Sequence, residues 1–471
     1  MKCKCGTWRL SASLTILFLL SLAVGAQAQK RYRFVANPTV VGYSYNGANV
    51  YDSFWTEDIN NLGQVVESQV QPVLRSPSNI WTDLWTGGAP TMVQQFLPRQ
   101  APTSMSAHYA RLNNMGDLFG VQRDGSLWVY AHDGSFSALP MPPGNVVLPD
   151  SRQPWPLYQL SEGPPLAVND WGDFTAHTTT GIWLWYGAWG QLDNSPNAQA
   201  FRQTDRGHVA GMDGAYNPVV WYYGGKQTFA RRPAGTNTST WAGKTISVNE
   251  MGFAVGTDIP VQTPGGPSGP YQAWIGRFGS TGTANLPKMS MATAMNNGLQ
   301  VVGIDYRSNP AVDEGVLAEY GTASYLKDLV DGSGAGLLHL HPTAINDHGV
   351  ITVNAMSGGQ AVSGVLVPNY QVNNWWVKEG GHVARNSTQP FKLEVLGLPV
   401  GSYTASWMVD DDTAHMNPMS AVNNSEGPHM EADISLSGWN WQPVDHRYYV
   451  TYVIKKGGQI MAVDTHSFYV Q

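Results

Sequence analysis

One short phrase, Asn-Asn/Asp-x-Gly followed by a β-rich run, recurs along this chain and constrains its fold more than any other feature. It stands at Asn60-Asn61-Leu62-Gly63, Asn113-Asn114-Met115-Gly116, Asn169-Asp170-Trp171-Gly172, Asn249-Glu250-Met251-Gly252 and Asn346-Asp347-His348-Gly349. Thr204-Asp205-Arg206-Gly207 is a degenerate copy, and Asn296-Asn297-Gly298-Leu299 carries its glycine one place early. The seven copies are 35 to 56 residues apart, about 48 on average, close to the length of one propeller blade. An Asn/Asp pair followed by Gly supplies the positive-φ positions of a tight hairpin turn, and the apolar or alternating runs on either side read as strands. An aromatic strand follows several copies (Leu127-Trp128-Val129-Tyr130, Ile182-Trp183-Leu184-Trp185, Val219-Val220-Trp221-Tyr222), and then a last strand. Four strands per repeat, repeated radially, predict an all-β fold: a seven-bladed β-propeller over residues 29–368, followed by a C-terminal β-sandwich. The seventh repeat lacks its fourth strand, so one strand from the stretch Tyr32 to Tyr43 is expected to complete it and remove the open sheet edges.

The phrase, written as Ile/Val/Met-Asn-Asn/Asp-x-Gly-x-Val-Val-Gly with a later Leu-Trp strand, resembles the HAF-repeat family of exported bacterial proteins over residues 45–367. That resemblance implies a propeller-like fold and export, and brings no catalytic motif with it.

Composition removes several classes. Charged residues make up 13% of the chain, while 51 Gly and 18 Trp are plentiful, which excludes a disordered chain. With 27 basic against 34 acidic side chains there is no basic excess to displace counterions, so nucleic acid is not an expected partner. Lys2, Lys4 and Arg9 precede the apolar run Leu14 to Val24 and the Ala26-Gln27-Ala28 site, the pattern of a signal peptide over residues 1–28. Its removal takes three basic groups from the net charge of −7 and leaves −10. Both cysteines, Cys3 and Cys5, go with it. The expectation is a secreted or periplasmic protein with no disulfide, no membrane span after cleavage, and a large core instead.

After Pro368, residues 369–374 read as a linker and 375–471 as a sandwich of alternating strands such as Phe391, Leu393, Val395 and Tyr448, Val450, Tyr452, Ile454. Gly397 to Thr404, with Val409-Asp410-Asp411-Asp412 and His415, resembles the C-terminal β-domain of family-39 glycoside hydrolases over about twenty residues. The catalytic carboxylates of those enzymes lie on a separate barrel, so the resemblance implies no active site here.

The repeat allows a site to be read by register. Nine residues after each phrase start stand Gln69, Gln122, Thr178, Asp213, Asp258, Asp305 and Ala355; five before stand Trp55, His108, Pro164, Gln199, Lys244, Met291 and His341. The candidate binding residues are Trp55, His108, Gln122, Asp213, Lys244, Asp258, Asp305 and His341, expected on the face away from the phrase turns. Carboxylates and amides suit sugar hydroxyls and an indole suits a sugar face, so the expected partner is an extracellular polysaccharide or envelope component. The same face could serve paired carboxylates in glycoside cleavage, or His108 beside Lys244 in a lyase. A purely structural scaffold is the third alternative, and each Asp has a competing use as a turn cap. No metal ligand set has the spacing of a metal motif, and no cofactor is expected, although calcium suits oxygen-rich loops of this kind.

Overall fold

A computed structural model describes residues 30–36, 42–45, 48–51, 53–70, 82–86, 105–122, 124–148, 166–231, 241–260, 271–280, 282–306, 314–374, 380–384, 388–399, 401–409, 417–424, 427–435 and 447–471. The expected signal peptide and the Asp410–Asp412 and His415 group lie outside them. Among the described residues no helix is long and apolar enough to cross a membrane.

The molecule is all-β and propeller-like. Among the described residues the repeat region forms six four-stranded antiparallel sheets, one of three strands, Ser53–Ile59, Gln64–Val70 and Thr82–Thr86, and a two-stranded hairpin, Gly42–Tyr45 with Ala48–Tyr51. In each sheet a phrase turn joins the first strand to the second, as in Trp241–Val248 and Phe253–Pro260 around Asn249. The last sheet is completed from the other end of the repeat region: Tyr32–Ala36 pairs antiparallel with Gln360–Pro368, from Tyr32 opposite Pro368 to Ala36 opposite Gly364. The incoming chain is fixed there by the Arg31 guanidinium, which donates to buried Glu319, and by Arg31 N–H to Leu329 O at 2.7 Å.

The last glycine of the longer phrase has a packing reason. Gly120, Gly211 and Gly256 on the second strands sit under the indoles of Trp128, Trp221 and Trp274 from the third strands, all three fully buried. A Cβ at these glycines would fall 2.1, 2.2 and 2.3 Å from the respective ring, so only glycine lets the rings lie flat on the strand.

Residues 371–470 contribute eight strands in one hydrogen-bonded order, and Leu393, Val395, Trp407, Tyr448, Tyr452 and Phe468 from across that order share one core. The expected linker is partly a strand: Gln371–Asn374 pairs with Thr388–Leu396 through Val372 opposite Val395, because Val372 has apolar neighbours to join on that sheet.

Candidate functional site

The first phrase residue builds the turn and ties it to its neighbour. Asn60 Oδ1 accepts from Gln64 N at 2.9 Å, closing its own turn, and Asn60 Nδ2 donates to Asn113 O at 2.9 Å in the next sheet. Asn296 repeats the pattern, to Gln300 N at 2.9 Å and Asn346 O at 2.8 Å, and Asn346 Nδ2 returns to Asn60 O at 3.1 Å. A buried amide oxygen and a buried amide N–H are both satisfied, a need that Asn alone meets with one short side chain.

The second residue makes a closed cycle. The backbone N–H of Asn61 donates to the side chain of Asn114, Asn114 to Asp170, Asp170 to Asp205, and Asp205 to Glu250. Glu250 donates to Asn297, Asn297 to Asp347, and Asp347 back to Asn61, every link between 2.7 and 2.9 Å. Only the fourth position takes positive φ, from Gly349 at 74° to Gly116 at 89°. The Asn/Asp pair, expected to share that conformation, serves the cycle instead. In the sixth copy Leu299 holds the position at φ 57°, and the early Gly298 answers a different demand. A Cβ on it would lie 2.9 Å from Thr465 Oγ1 and 3.2 Å from Val463 Cγ1 of the last strand.

The cycle encloses a cavity of about 70 Å³ lined by residues of all seven turns, and a second of about 50 Å³ lies farther along the axis. Arg202 lines both and bonds Asp58 at 3.0 Å, joining the first and fourth repeats across the axis. Both stand two places before their phrase, just past a register shift that recurs at Thr56/Asp58, Ala200/Arg202, Thr245/Ser247 and Ala292/Ala294. Such a bulge re-aims the following side chain, here toward the axis.

The phrase face is partly covered by the C-terminal sheet. Arg447 Nη1 donates to Asp170 Oδ2 at 2.7 Å and Asp205 Oδ2 at 3.0 Å, while Arg206 donates to Arg447 O at 2.7 Å and lies over the Tyr449 ring. Burial, then the neighbouring Glu250 and Asp170 charges, push the Asp205 carboxyl up to about 9. Burial likewise raises Glu250, to about 7, against the N–H groups of Asp205 and Arg206 that it accepts. Burial and then Arg206 lower His208 to about 4. Asp170, Asp205, Glu250 and Asp347 are links in the cycle, and Asp170 and Asp205 are also partners of Arg447, an arrangement that orients the turns.

The register-predicted residues divide. Lys244 and Gln199, each five places before its phrase, meet across adjacent sheets at 3.0 Å, with Lys244 over the Phe201 ring. Asp213 caps its own turn, accepting from Ala215 N and Asn217 N at 3.0 Å and from Lys226 at 3.1 Å; against burial, the Asn217 and Lys226 bonds hold its carboxyl below the usual range. Asp258 accepts from Arg231 Nε at 3.1 Å, and burial still raises it. Asp305 accepts from Ser290 at 3.3 Å and Tyr325 at 3.0 Å. All three are buried, and each is bonded to near neighbours rather than to another of the three. His341 packs its ring 6.1 Å from His339. Trp55, His108 and Gln122 stand on strands, with side chains outside the described set.

Two features escaped the register reading. The third phrase residue is exposed in the first three copies, Leu62 at 59%, Met115 at 48% and Trp171 at 60%. Tyr186 and Tyr223, at the turns between third and fourth strands, are 60% and 74% exposed. In the seventh copy the third residue is His348, whose Nδ1 lies 2.8 Å from Asp464 Oδ1; His466 Nε2 lies 2.9 Å from Asp464 Oδ2. Against the burial that would raise it, His466 and His348 hold the Asp464 carboxyl down at about 2. The signal for this cluster was an imidazole at a position that elsewhere holds Leu, Met, Trp, Arg or Gly, and the Asp464-x-His466 alternation.

No protein-family model matches the chain, and no curated protein matches it. Among solved structures the full extracellular region of plexin A4 is similar at 8% identity, covering 91% of this chain and 55% of that one, with a TM-score of 0.16. The chain spans about half the length of that structure, and a likeness of this size carries no argument about fold or function.

Proposed function

We propose that this chain is an exported, seven-bladed β-propeller with a C-terminal β-sandwich, of the HAF-repeat kind, that recognises an extracellular glycan or cell-envelope component. The observation that carries the reading is the exposed arc of Leu62, Met115 and Trp171 on three consecutive turns, with Tyr186 and Tyr223 beside it. Large apolar side chains left in water at one register position of consecutive repeats mark a contact surface, since scattered exposure would not follow the repeat. Aromatic faces stack on sugar rings, and the Asp173 carboxyl, close enough to help raise the Tyr223 phenol after burial and Tyr222, supplies a hydroxyl acceptor. Asp213, Asp258 and Asp305 have intramolecular partners, so the contact moves from the face first expected to the uncovered part of the phrase face.

The test is retardation of the purified chain in gels containing bacterial polysaccharides. At least one polysaccharide should retard it, and Trp171→Ala with Tyr223→Ala should weaken that binding roughly tenfold or more, as expected for two stacking contacts. Retardation unchanged in the double variant, or absent throughout while a protein partner is captured, would sink the glycan reading. Release of reducing sugar would replace it with a hydrolase.

A further inference from the structure

The geometry points to a second site: we infer that His348, Asp464 and His466 bind a zinc-class divalent cation that ties the seventh phrase turn to the last strand. The three donors come from two parts of the chain more than a hundred residues apart in sequence, His348 from the turn and Asp464 and His466 from the strand Gln459–Val470. Their ligand atoms all lie within 4.8 Å of one another. Bonds of about 2.0–2.2 Å from one tetrahedral ion place neighbouring ligands about 3.3–3.6 Å apart. The imidazole–carboxylate separations of 2.8 and 2.9 Å are those of hydrogen bonds, so the donors need to part by only about half an ångström to admit the ion.

Two imidazoles and one carboxylate suit zinc and its first-row neighbours better than calcium or magnesium, which prefer oxygen throughout. Asp464 and His466 alternate on one side of the strand, both buried, and the Thr465 N–H donates to Asp464 Oδ1 at 3.1 Å, orienting the carboxylate from outside the ligand set. His348 is a third exposed, which gives an ion a way in and leaves room for a water as fourth ligand. The bare cluster is held by imidazole N–H groups donating to Asp464. The ion takes the place of those protons: a neutral imidazole carries its proton on the other ring nitrogen instead, an imidazolium releases one to solvent, and the freed lone pair faces the metal.

The contact at stake is the docking of the C-terminal sheet on the turns. Beside the cluster, Thr465 N also donates to Asp347 O at 3.1 Å, and Gly298 leaves space for Thr465. A metal at His348 therefore crosslinks the cycle of turns to the sheet that covers it.

The experiment is equilibrium dialysis of the full-length exported chain, freed of metal by chelator, against zinc and separately against cobalt(II). One zinc per chain should be retained, bound cobalt should show the intense visible bands of low-coordinate nitrogen and oxygen ligation, and zinc should raise the melting temperature. His348→Gln, chosen because the residue is partly exposed and its loss spares the core, should weaken zinc binding tenfold or more and abolish the zinc-dependent melting shift. His466→Gln should do the same, with circular dichroism confirming that both variants are folded. His339→Gln should leave binding intact. No zinc retained by the parent, or equal retention in His348→Gln, would overturn the site and leave a hydrogen-bonded clamp.

Discussion

Gly256 shows how tightly single positions are specified. Its hypothetical Cβ would lie 2.2 Å from Lys244 O and 2.3 Å from the Trp274 ring, and neither can retreat, one being backbone and the other fully buried. Gly256→Ala should therefore destabilise the chain by about 3 kcal/mol or more, at the upper end of overpacking costs, seen as a lowered urea midpoint; a loss under about 1 kcal/mol would show that the strand can shift. That this residue had to be glycine was visible in the repeated phrase, whereas the reason was not, because a ring lying on a strand is a contact between strands that no periodicity encodes. The Asn at the head of each phrase was legible as a turn residue. Its second bond, from Asn346 Nδ2 to Asn60 O, joins residues at opposite ends of the repeat region and appears only once the sheets are placed. Asp213 behaves as local chemistry alone would have it, a cap for the backbone N–H groups two and four residues on.

At the scale of elements, the sheet that spans both ends of the repeat region is the informative one. The sequence showed a repeat short of one strand and a spare stretch at the other end, and the pairing of Tyr32–Ala36 with Gln360–Pro368 follows that shortage. Its anchor was not legible, since Arg31 meets Glu319 of the sixth sheet only after closure, and both are buried. Removing one member of such a pair strands the other charge. Arg31→Met should cost about 3–5 kcal/mol, and Arg31→Met with Glu319→Leu should recover much of it. Hydrogen exchange along residues 360–368 should speed up in the single variant before the rest of the molecule responds. Exchange unchanged there would mean that the strand holds itself by its ladder alone. The inner strands carry the other element-scale lesson: the register shift before the first and fourth phrases turns Asp58 and Arg202 to the axis, and fixed offsets along the sequence step over it.

At the scale of the whole molecule, the covered phrase face sets the pH dependence. Asp205 faces Asp170, Glu250 and Arg447, with Tyr449 above, and its folded value of about 9 stands far over that of an unfolded aspartate, about 3.9. Between those values the folded chain holds a proton that the unfolded chain has lost, so stability falls as pH rises through the window. Glu250 adds to the fall up to about 7. His208 works the other way: its folded value of about 4 lies below the unfolded 6.5, so the unfolded chain holds the extra proton and stability rises with pH until about 6.5. The single proton of His208 offsets only one of the two held by Asp205 and Glu250, so the net slope is already negative from about pH 4.5, and above pH 7 it is that of Asp205 alone. The melting temperature should be highest near about pH 4 and decline toward pH 9. Asp205→Asn keeps an acceptor for the Asp170 N–H, so it should fold and lose most of the decline above pH 7, while His208→Phe should steepen the fall between about pH 4 and 6.5. If Asp205→Asn declined from pH 7 to 9 as steeply as the parent, the proton would reside elsewhere on the face, and the contact between Arg447 and the turns would not be what responds to pH.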